Sequence, residues 1–247
     1  MPGSRLTLTD TRVLEIGCGA GHSTQALLAL GHKITAIEEN PHCIEATRNR
    51  LEQNGYRVQV VSRGTPKALG PAQGFTYETE YADIGVLANV DYTLIEGDVL
   101  QDTKLVAWLS TQPRFDALVC WMIGTHTYRG HSAVATARGI TENGVHRVLV
   151  QNEVYDLAKI VLRAGGILSV ADRLETPSTA SVRDAIMQHH REQASTTTLR
   201  VDRLRHKPYA IDRVAGGITM VPTPPTDGSA VDRPYTQSLC AVTSIKP

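Results

Sequence analysis

The stretch VLEIGCGAGHSTQAL, Val13 to Leu27, places three glycines between an apolar run and a segment of helical character. This order is typical of a nucleotide-binding turn, because glycine permits a positive φ and lets a ligand approach the backbone closely. The first turn of the following helix adds free N–H groups and the positive end of the helix dipole. The stretch therefore predicts a nucleotide-containing ligand at this turn.

The spacing of the glycines argues against two common nucleotide sites. Gly17, Gly19 and Gly21 form G-x-G-x-G, whereas the dinucleotide fingerprint is G-x-G-x-x-G, with Gly or Ala at its sixth position. Here the sixth position is His22, whose imidazole would obstruct the close contact between strand and helix that NAD enzymes use. The sequence also lacks G-x-x-x-x-G-K-[ST], which excludes a P-loop.

Strand-like and helix-like segments alternate over most of the chain. Helical segments run from Pro41 to Gln53, ending at Asn54–Gly55, and from Glu142 to Leu162. After the first apolar run come four more: Lys33 to Ile37, Tyr92 to Ile95, Phe115 to Met122, and Ile167 to Ala171. This alternation predicts an α/β fold with a mostly parallel sheet covered by helices on both faces.

Two parts of the chain interrupt this rhythm. Residues 56–91 are predicted to be an insertion that forms a hairpin or a short extra strand pair, because most such connections are only a few residues long. Near the end, a helix through SVRDAIMQHHREQA precedes TLRVDRLR and SLCAVTSI, which alternate like paired strands. Between these two lies VPTPPTDGSAVDRP, which is predicted to be a mobile loop. Residues 1–247 are otherwise expected to form a single domain.

Composition narrows the class of partner. The 247 residues include 25 basic and 25 acidic side chains, so the formal net charge is zero and the basic excess typical of duplex-binding proteins is absent. The four cysteines are widely spaced without a CxxC pair, as expected of free thiols in a reducing cytoplasm. With no apolar signal core and no apolar run of membrane-spanning length, a soluble cytoplasmic protein without a membrane partner is expected, of undetermined oligomeric state.

Acidic residues accompany the glycine turn and the following strand ends. Glu15 immediately precedes the turn, Glu38–Glu39 end the second apolar run, and Asp98 follows the third in EGDVL. With FDALV in the fourth run and LRAGGIL before the fifth, these motifs resemble the class I S-adenosylmethionine (SAM)-dependent methyltransferases from Val13 to Asp172. The resemblance implies a Rossmann-like three-layer sandwich with a mostly parallel seven-stranded sheet, an antiparallel C-terminal strand, and SAM as cofactor.

The resemblance also implies which residues hold the cofactor. Backbone at the turn would approach the methionine part, and the helix start would hold its carboxylate; these residues are Gly17, Cys18, Gly19, Gly21, His22, Ser23 and Thr24. Glu15 would face the methionine end or brace the loop. Glu38 would accept the ribose hydroxyls, with Glu39 as the substitute, while Asp98 would accept from the adenine amine and Val99 would pack on the ring.

The methyl-transfer space would lie beyond the fourth strand. Cys120 and Trp121 would border it, although both Cys120 and Cys18 also fit small buried positions and Trp121 fits the core equally well. The segment IGTHTYRGHS offers His126 as the first candidate general base, His131 as the second, and Tyr128 as a further polar group. The alternative is that these histidines are surface loop residues.

No metal site is predicted. The adjacent pair His189–His190 points in two directions on a helix, so it makes a poor chelate and is expected on a solvated face.

The substrate is less constrained than the cofactor. CWMIGTH replaces the [DNS]-P-P-[YFW] motif of amine-methylating enzymes, and a Pro-Cys pair of the cytosine-C5 type is absent. The aromatics Phe75, Tyr77 and Tyr81 of the insertion fit either a pocket wall or an extra hairpin. The basic segment from Arg200 to Arg213 fits either phosphate contacts or a solvated strand face.

A small-molecule methyltransferase is favoured on these grounds. An enzyme that methylates RNA or protein is the alternative, and a non-catalytic SAM-binding regulatory or assembly subunit is the third hypothesis.

Overall fold

The computed structural model describes residues 11–69, 76–209 and 236–247. The elements of its first half are β1 (Arg12–Ile16), α1 (His22–Ala29), β2 (Lys33–Glu38), α2 (Pro41–Gln53), β3 (Val58–Val61), β4 (Gly64–Ala68), β5 (Tyr77–Tyr81) and β6 (Tyr92–Glu96). The second half contains α3 (Thr103–Thr111), β7 (Phe115–Trp121), a 3-10 helix (Thr127–His131), α4 (Ala133–Ala137), α5 (Asn143–Val161), β8 (Leu162–Glu175), α6 (Ala180–Ala194), β9 (Arg200–Pro208) and β10 (Gln237–Ile245).

The main sheet has the strand order β3-β6-β2-β1-β7-β8-β10-β9. The strands from β3 to β8 in this order run parallel, and β10 is antiparallel to both of its neighbours. The predicted α/β fold with an antiparallel C-terminal strand is confirmed. The sheet has one strand more than the seven expected, because β3 adds an edge strand beside β6.

Helices cover both faces of this sheet. Because side chains alternate along a strand, successive residues of β1 enter different apolar clusters: Leu14 and Ile16 pack on one side, and Val13 packs on the other. The first cluster includes residues of α3 and α5, and the second includes residues of α1 and α2. The sheet is therefore the middle layer of three, as the period of the apolar residues predicted.

The boundaries of α2 illustrate how local sequence sets the elements. Asn40 caps the helix by accepting a hydrogen bond from the N–H of His42 at 3.0 Å, and Pro41 occupies the first helical position. Gly55 follows the helix with a φ of +81°, the left-handed conformation that glycine adopts without steric cost. The predicted end of this helix at Asn54–Gly55 is confirmed.

The segment 56–91 contains both a strand of the main sheet, β3, and the antiparallel hairpin of β4 and β5. Arg63 connects this segment to the residues that follow β6. Its buried guanidinium pairs with Asp102, and its Nε donates a hydrogen bond to the carbonyl of Ala82 at 2.7 Å. Glu96 accepts from the N–H groups of Arg63 and Gly64, at 2.7 and 3.0 Å. Tyr77 and Tyr81 belong to β5, while Phe75 lies outside the described residues.

The predicted pairing of the C-terminal strands is confirmed. β9 and β10 are antiparallel, with Leu204 opposite Val242, and both residues pack on α6. The loop VPTPPTDGSAVDRP, predicted to be mobile, lies outside the described residues.

We expect Arg63→Met to lower the free energy of unfolding by about 3–5 kcal/mol, because it leaves Asp102 as a buried charge without its partner. Urea unfolding measures the change. Arg57→Met is the control, since Arg57 pairs with Asp91 on the surface and its removal should change stability little. Equal stability of the two variants would contradict this role of Arg63.

Candidate functional site

A cavity of about 700 Å³ lies at the carboxyl ends of β1, β2, β6 and β7. Its wall is formed by the glycine turn, by the ends of β2 and β6, by the segment after β7, and by the first turns of α5. β1 lies between β2 and β7 in the sheet, so the chain leaves β1 in one direction and later returns on its other side. Open α/β sheets bind ligands at such a switch point.

All three glycines of the turn have positive φ: +76° at Gly17, +54° at Gly19 and +79° at Gly21. A Cβ on Gly17 would come 2.4 Å from Cδ1 of Ile123, in the segment after β7. No atom lies within 4 Å of the position of a Cβ on Gly19, which lines the cavity. Gly21 is the N-cap residue of α1 and supplies no side-chain cap, and it is not part of the cavity wall.

Glu15 braces the start of α1. Its carboxylate accepts from the hydroxyls of Ser23 at 2.7 Å and Thr24 at 2.6 Å, and burial raises its pKa. This matches the second of the two roles expected for Glu15. His22 is not part of the cavity wall, because its Nε2 lies 3.0 Å from Nη2 of Arg50 on the exposed side of the turn. Cofactor contacts by the α1 start remain a prediction.

Glu38 joins the turn to the end of β2. One of its oxygens accepts from the N–H of Gly19 at 3.1 Å, and the other accepts from the N–H groups of Glu39 and Asn40, both at 3.0 Å. The side chain lines the cavity although it is buried, and burial raises its pKa. The thiol of Cys18 also lies 4.0 Å from the oxygen that accepts from Gly19, and this weak donor is the contact that a ligand hydroxyl could replace.

Arg129 connects the acids that follow β2 and β6. Its Nη1 donates to Oδ2 of Asp98 at 2.6 Å and also contacts the carboxylate of Glu39. Its side chain is 3% exposed, and its Nε and Nη2 have no hydrogen-bond partner in the described part of the chain. Asp98 also accepts from the N–H of Leu100 at 2.9 Å.

The pKa of Glu39 is raised to about 8, by burial first and then by Asp98, with Arg129 opposing the shift. The sequence alone gives no sign of this role for Arg129, which lies in the polar segment IGTHTYRGHS, because its contacts depend entirely on the tertiary structure.

The cavity wall after β7 begins one residue later than predicted. Met122 has a φ of +55°, unusual for a residue other than glycine, and it lines the cavity together with Ile123. Cys120 is buried in the apolar core, and Nε1 of Trp121 donates to the hydroxyl of Ser169 at 3.0 Å. Neither residue is part of the cavity wall, so their contact with the methyl-transfer space stays a prediction.

Two further cofactor predictions concern Cys18 and Val99. Cys18 is buried beside Thr47, with its Sγ 3.5 Å from the hydroxyl, and it is not part of the wall. Val99 lines the cavity next to Asp98, which is consistent with packing against a ring.

The three candidate catalytic residues lie in different surroundings. His126 lines the cavity, with its Nε2 3.8 Å from Oε1 of Glu39, and its pKa is lowered by burial and then by Arg129. Tyr128 is 65% exposed, His131 is also exposed, and neither forms part of the wall. The structure therefore brings His126, but not the other two, to the cavity.

The first turns of α5 complete the wall, and sequence analysis missed them. His146, Arg147 and Val150 line the cavity from this helix. His146 is 3% exposed, and burial lowers its pKa to about 4. Arg147 pairs with Asp172 at 2.7 Å. The sequence predicted this helix, but its pattern does not say which of its ends faces the switch point.

The remaining polar segments lie away from the cavity. The expectation of a solvated His189–His190 pair is wrong for His190, which is buried with its Nδ1 3.0 Å from the hydroxyl of Tyr155. On β9 the basic side chains Arg200, Arg203, Arg205 and Lys207 are exposed, as expected of a solvated face, while Arg213 lies outside the described residues.

Within residues 11–69, 76–209 and 236–247, no group of three or more His, Cys, Asp or Glu side chains could hold a metal ion. No helix of these ranges is long and apolar enough to cross a membrane.

Comparison with known proteins gives a family match over the first part of the sheet. A family model described as a methyltransferase domain matches residues 13–96. The ribosomal RNA small subunit methyltransferase A of Xanthobacter autotrophicus is 32% identical over 108 residues, which are 43% of this chain and 33% of that protein. The ubiquinone biosynthesis O-methyltransferase of Xanthomonas euvesicatoria is 37% identical over 62 residues, 24% of this chain and 26% of that protein.

The chain therefore spans a third or less of the length of these curated relatives. Among solved structures, the fibrillarin pre-rRNA processing protein of Methanococcus jannaschii has 11% identity and a TM-score of 0.48, covering 97% of this chain and 68% of that one. The matched region, residues 13–96, includes the glycine turn and the acidic end of β2. The comparisons therefore show similarity to a methyltransferase domain over residues 13–96.

Proposed function

We propose that this protein binds SAM and transfers its methyl group to an oxygen, nitrogen or carbon nucleophile of a small molecule. The observation that carries the proposal is the cavity at the switch point, which brings the glycine turn, Glu38 and Asp98 around one space. We also propose that the whole chain is a single domain that carries 56–91 as an insertion.

The residues around the cavity fit this cofactor. Open backbone at Gly19 suits the methionine part, and the Glu38 carboxylate suits a ribose hydroxyl that replaces the weak donor Cys18. Asp98 and Val99 suit an adenine amine and ring, although Oδ2 of Asp98 already accepts from Arg129. Glu39 is less suited to the ribose because Arg129 engages it. A volume of about 700 Å³ is within the usual range for ligand sites.

SAM supplies, when bound, a methyl group already activated on a sulfonium. The protein then has to orient a nucleophile and exclude water. His126 is positioned to accept a proton from a nucleophile that carries one, since the lowered pKa keeps its imidazole neutral at neutral pH. His131 and Tyr128 are weaker candidates because both are exposed and neither lines the cavity.

An RNA substrate is the second candidate. The exposed basic side chains of β9, among them Arg203, Arg205 and Lys207, could contact phosphates. They lie at the far edge of the sheet from β1 and β2, and the net charge of the chain is zero. The cavity in the centre of the sheet therefore favours a small molecule.

Incubation with cell extract and SAM labelled on its methyl group tests the proposed activity. We expect label to appear in the small-molecule fraction. Label in RNA or protein would contradict the small-molecule substrate. Binding of SAM without transfer to any fraction would favour a non-catalytic SAM-binding subunit.

Glu38→Ala should weaken binding of SAM and of its product S-adenosylhomocysteine (SAH) by about 1–3 kcal/mol, because it removes an acceptor and frees the N–H of Gly19. Titration calorimetry measures the dissociation constants. Glu52→Ala removes an exposed acid of α2 and should leave them unchanged. An unaltered dissociation constant for Glu38→Ala would transfer the ribose role to Glu39.

His126 should give the pH–rate profile an acidic limb with an inflection below the ordinary histidine value of 6.5, because only the neutral imidazole accepts a proton and its pKa is lowered. His126→Gln should reduce turnover and remove this limb. His189→Gln, which changes an exposed histidine of α6, should keep it. Full turnover of His126→Gln with an unaltered profile would exclude His126 as the base.

A further inference from the structure

The first turn of α5 forms a part of the cavity wall that the proposed cofactor contacts do not use. Glu142 precedes the helix in an extended conformation, with φ −153° and ψ 164°, and its side chain makes no capping hydrogen bond. The N-cap residue therefore supplies no side-chain acceptor to the N–H groups of the first turn. Asn143 and Gly144 both line the cavity, and a Cβ on Gly144 would meet no atom within 4 Å.

A second and independent feature of this wall is His146. Its side chain lines the cavity and is 3% exposed, yet its Nδ1 has no hydrogen-bond partner in the described part of the structure. A buried polar atom without a partner is costly, and natural proteins usually satisfy it with protein, water or ligand. The lowered pKa of His146 keeps its ring neutral, so one of its nitrogens carries a proton that it can donate.

The charges around this turn determine what it can bind. Arg147 is balanced by Asp172, which also accepts from Nε2 of Gln151 at 3.3 Å. Glu142 also lines the cavity and carries an acid, but its side chain is exposed to solvent, which screens its charge. Apart from this exposed acid, the groups at this end of the cavity are the N–H groups at the positive end of a helix of 19 residues and the neutral ring of His146.

We propose that the N-terminus of α5, with His146, is a subsite for an acidic group of the substrate, a carboxylate or a phosphate. This inference rests on the proposed function and narrows its substrate class to small molecules that carry an anion. Met122, Ile123 and Val150 supply an apolar surface beside the subsite for the rest of such a molecule. His146 is here a binding and positioning residue, whereas proton transfer stays with His126.

The test begins with SAH, whose binding is measured first by titration calorimetry. If SAH does not bind, the proposed function fails before the subsite is tested. With SAH-saturated protein, we then compare benzoate and phenyl phosphate with the neutral benzamide. We expect at least one of the two anions to bind at least ten-fold more tightly than benzamide, and the stronger anion identifies the acidic group. Equal binding of all three, or no binding of either anion at millimolar concentration, would overturn the subsite.

Two variants of one residue isolate the backbone donor. Asn143→Pro removes the N–H of the first helical position, where proline is well tolerated, and the extended Glu142 suits a residue that precedes proline. Asn143→Ala removes the exposed side chain but keeps the N–H. We expect Asn143→Pro to weaken binding of the preferred anion about five-fold, with benzamide unaffected, and Asn143→Ala to bind like the wild type. Unchanged anion binding by Asn143→Pro would contradict the role of this helix end.

His146→Leu tests the contribution of the side chain independently of the backbone donors. It fills a similar volume without a donor and should lower the preference for anion over benzamide several-fold while the dissociation constant of SAH stays the same. His146→Gln retains a donor and should restore part of the preference. A His146→Leu protein that binds SAH normally and keeps the full preference would remove His146 from the subsite.

Discussion

The carboxylate of Glu38 is the contact on which the cavity depends. It connects the turn after β1 with the end of β2, because it accepts hydrogen bonds from backbone N–H groups of both segments at 3.0 to 3.1 Å. Three glycines with positive φ need this external support, because their backbone has many alternative conformations when unfolded. The same side chain lines the cavity, so the group that fixes the turn is also available to a ligand.

Arg129 provides a second constraint, through its contacts with Glu39 and Asp98 of the cavity wall. Glu39 and Asp98 follow two adjacent parallel strands, and parallel pairing brings such ends together whatever their charge. The guanidinium between them offsets the repulsion of two buried carboxylates, and breaking such a group by removing the cation is strongly destabilising. The carboxylate of Asp98 accepts from Arg129 through Oδ2 and from the N–H of Leu100 through Oδ1, so each oxygen retains one acceptor position at most for a ligand.

Much of the fold could be predicted because it is encoded locally. The glycine turn, the cap of α2 at Asn40–Pro41 and the alternation of β9 and β10 each depend on residues close in sequence. The edge strand β3 was not counted in the expected sheet because four residues carry little periodicity. His190 was misjudged because a polar residue at a buried helix position differs from a surface one only through its partner, Tyr155.

The sequence by itself determined the class of fold and predicted that acids follow β2 and β6 near the glycine turn, since strand ends and glycine turns are short-range features. Only the tertiary structure decided that Arg129 joins Glu39 to Asp98, that Cys120 and Trp121 face the core, and that His126 rather than Tyr128 reaches the cavity. It alone placed His146 and the start of α5 in the wall. The physical reason is that these contacts join segments distant in sequence, and side-chain direction at such a site is fixed by packing between elements rather than by the pattern within one.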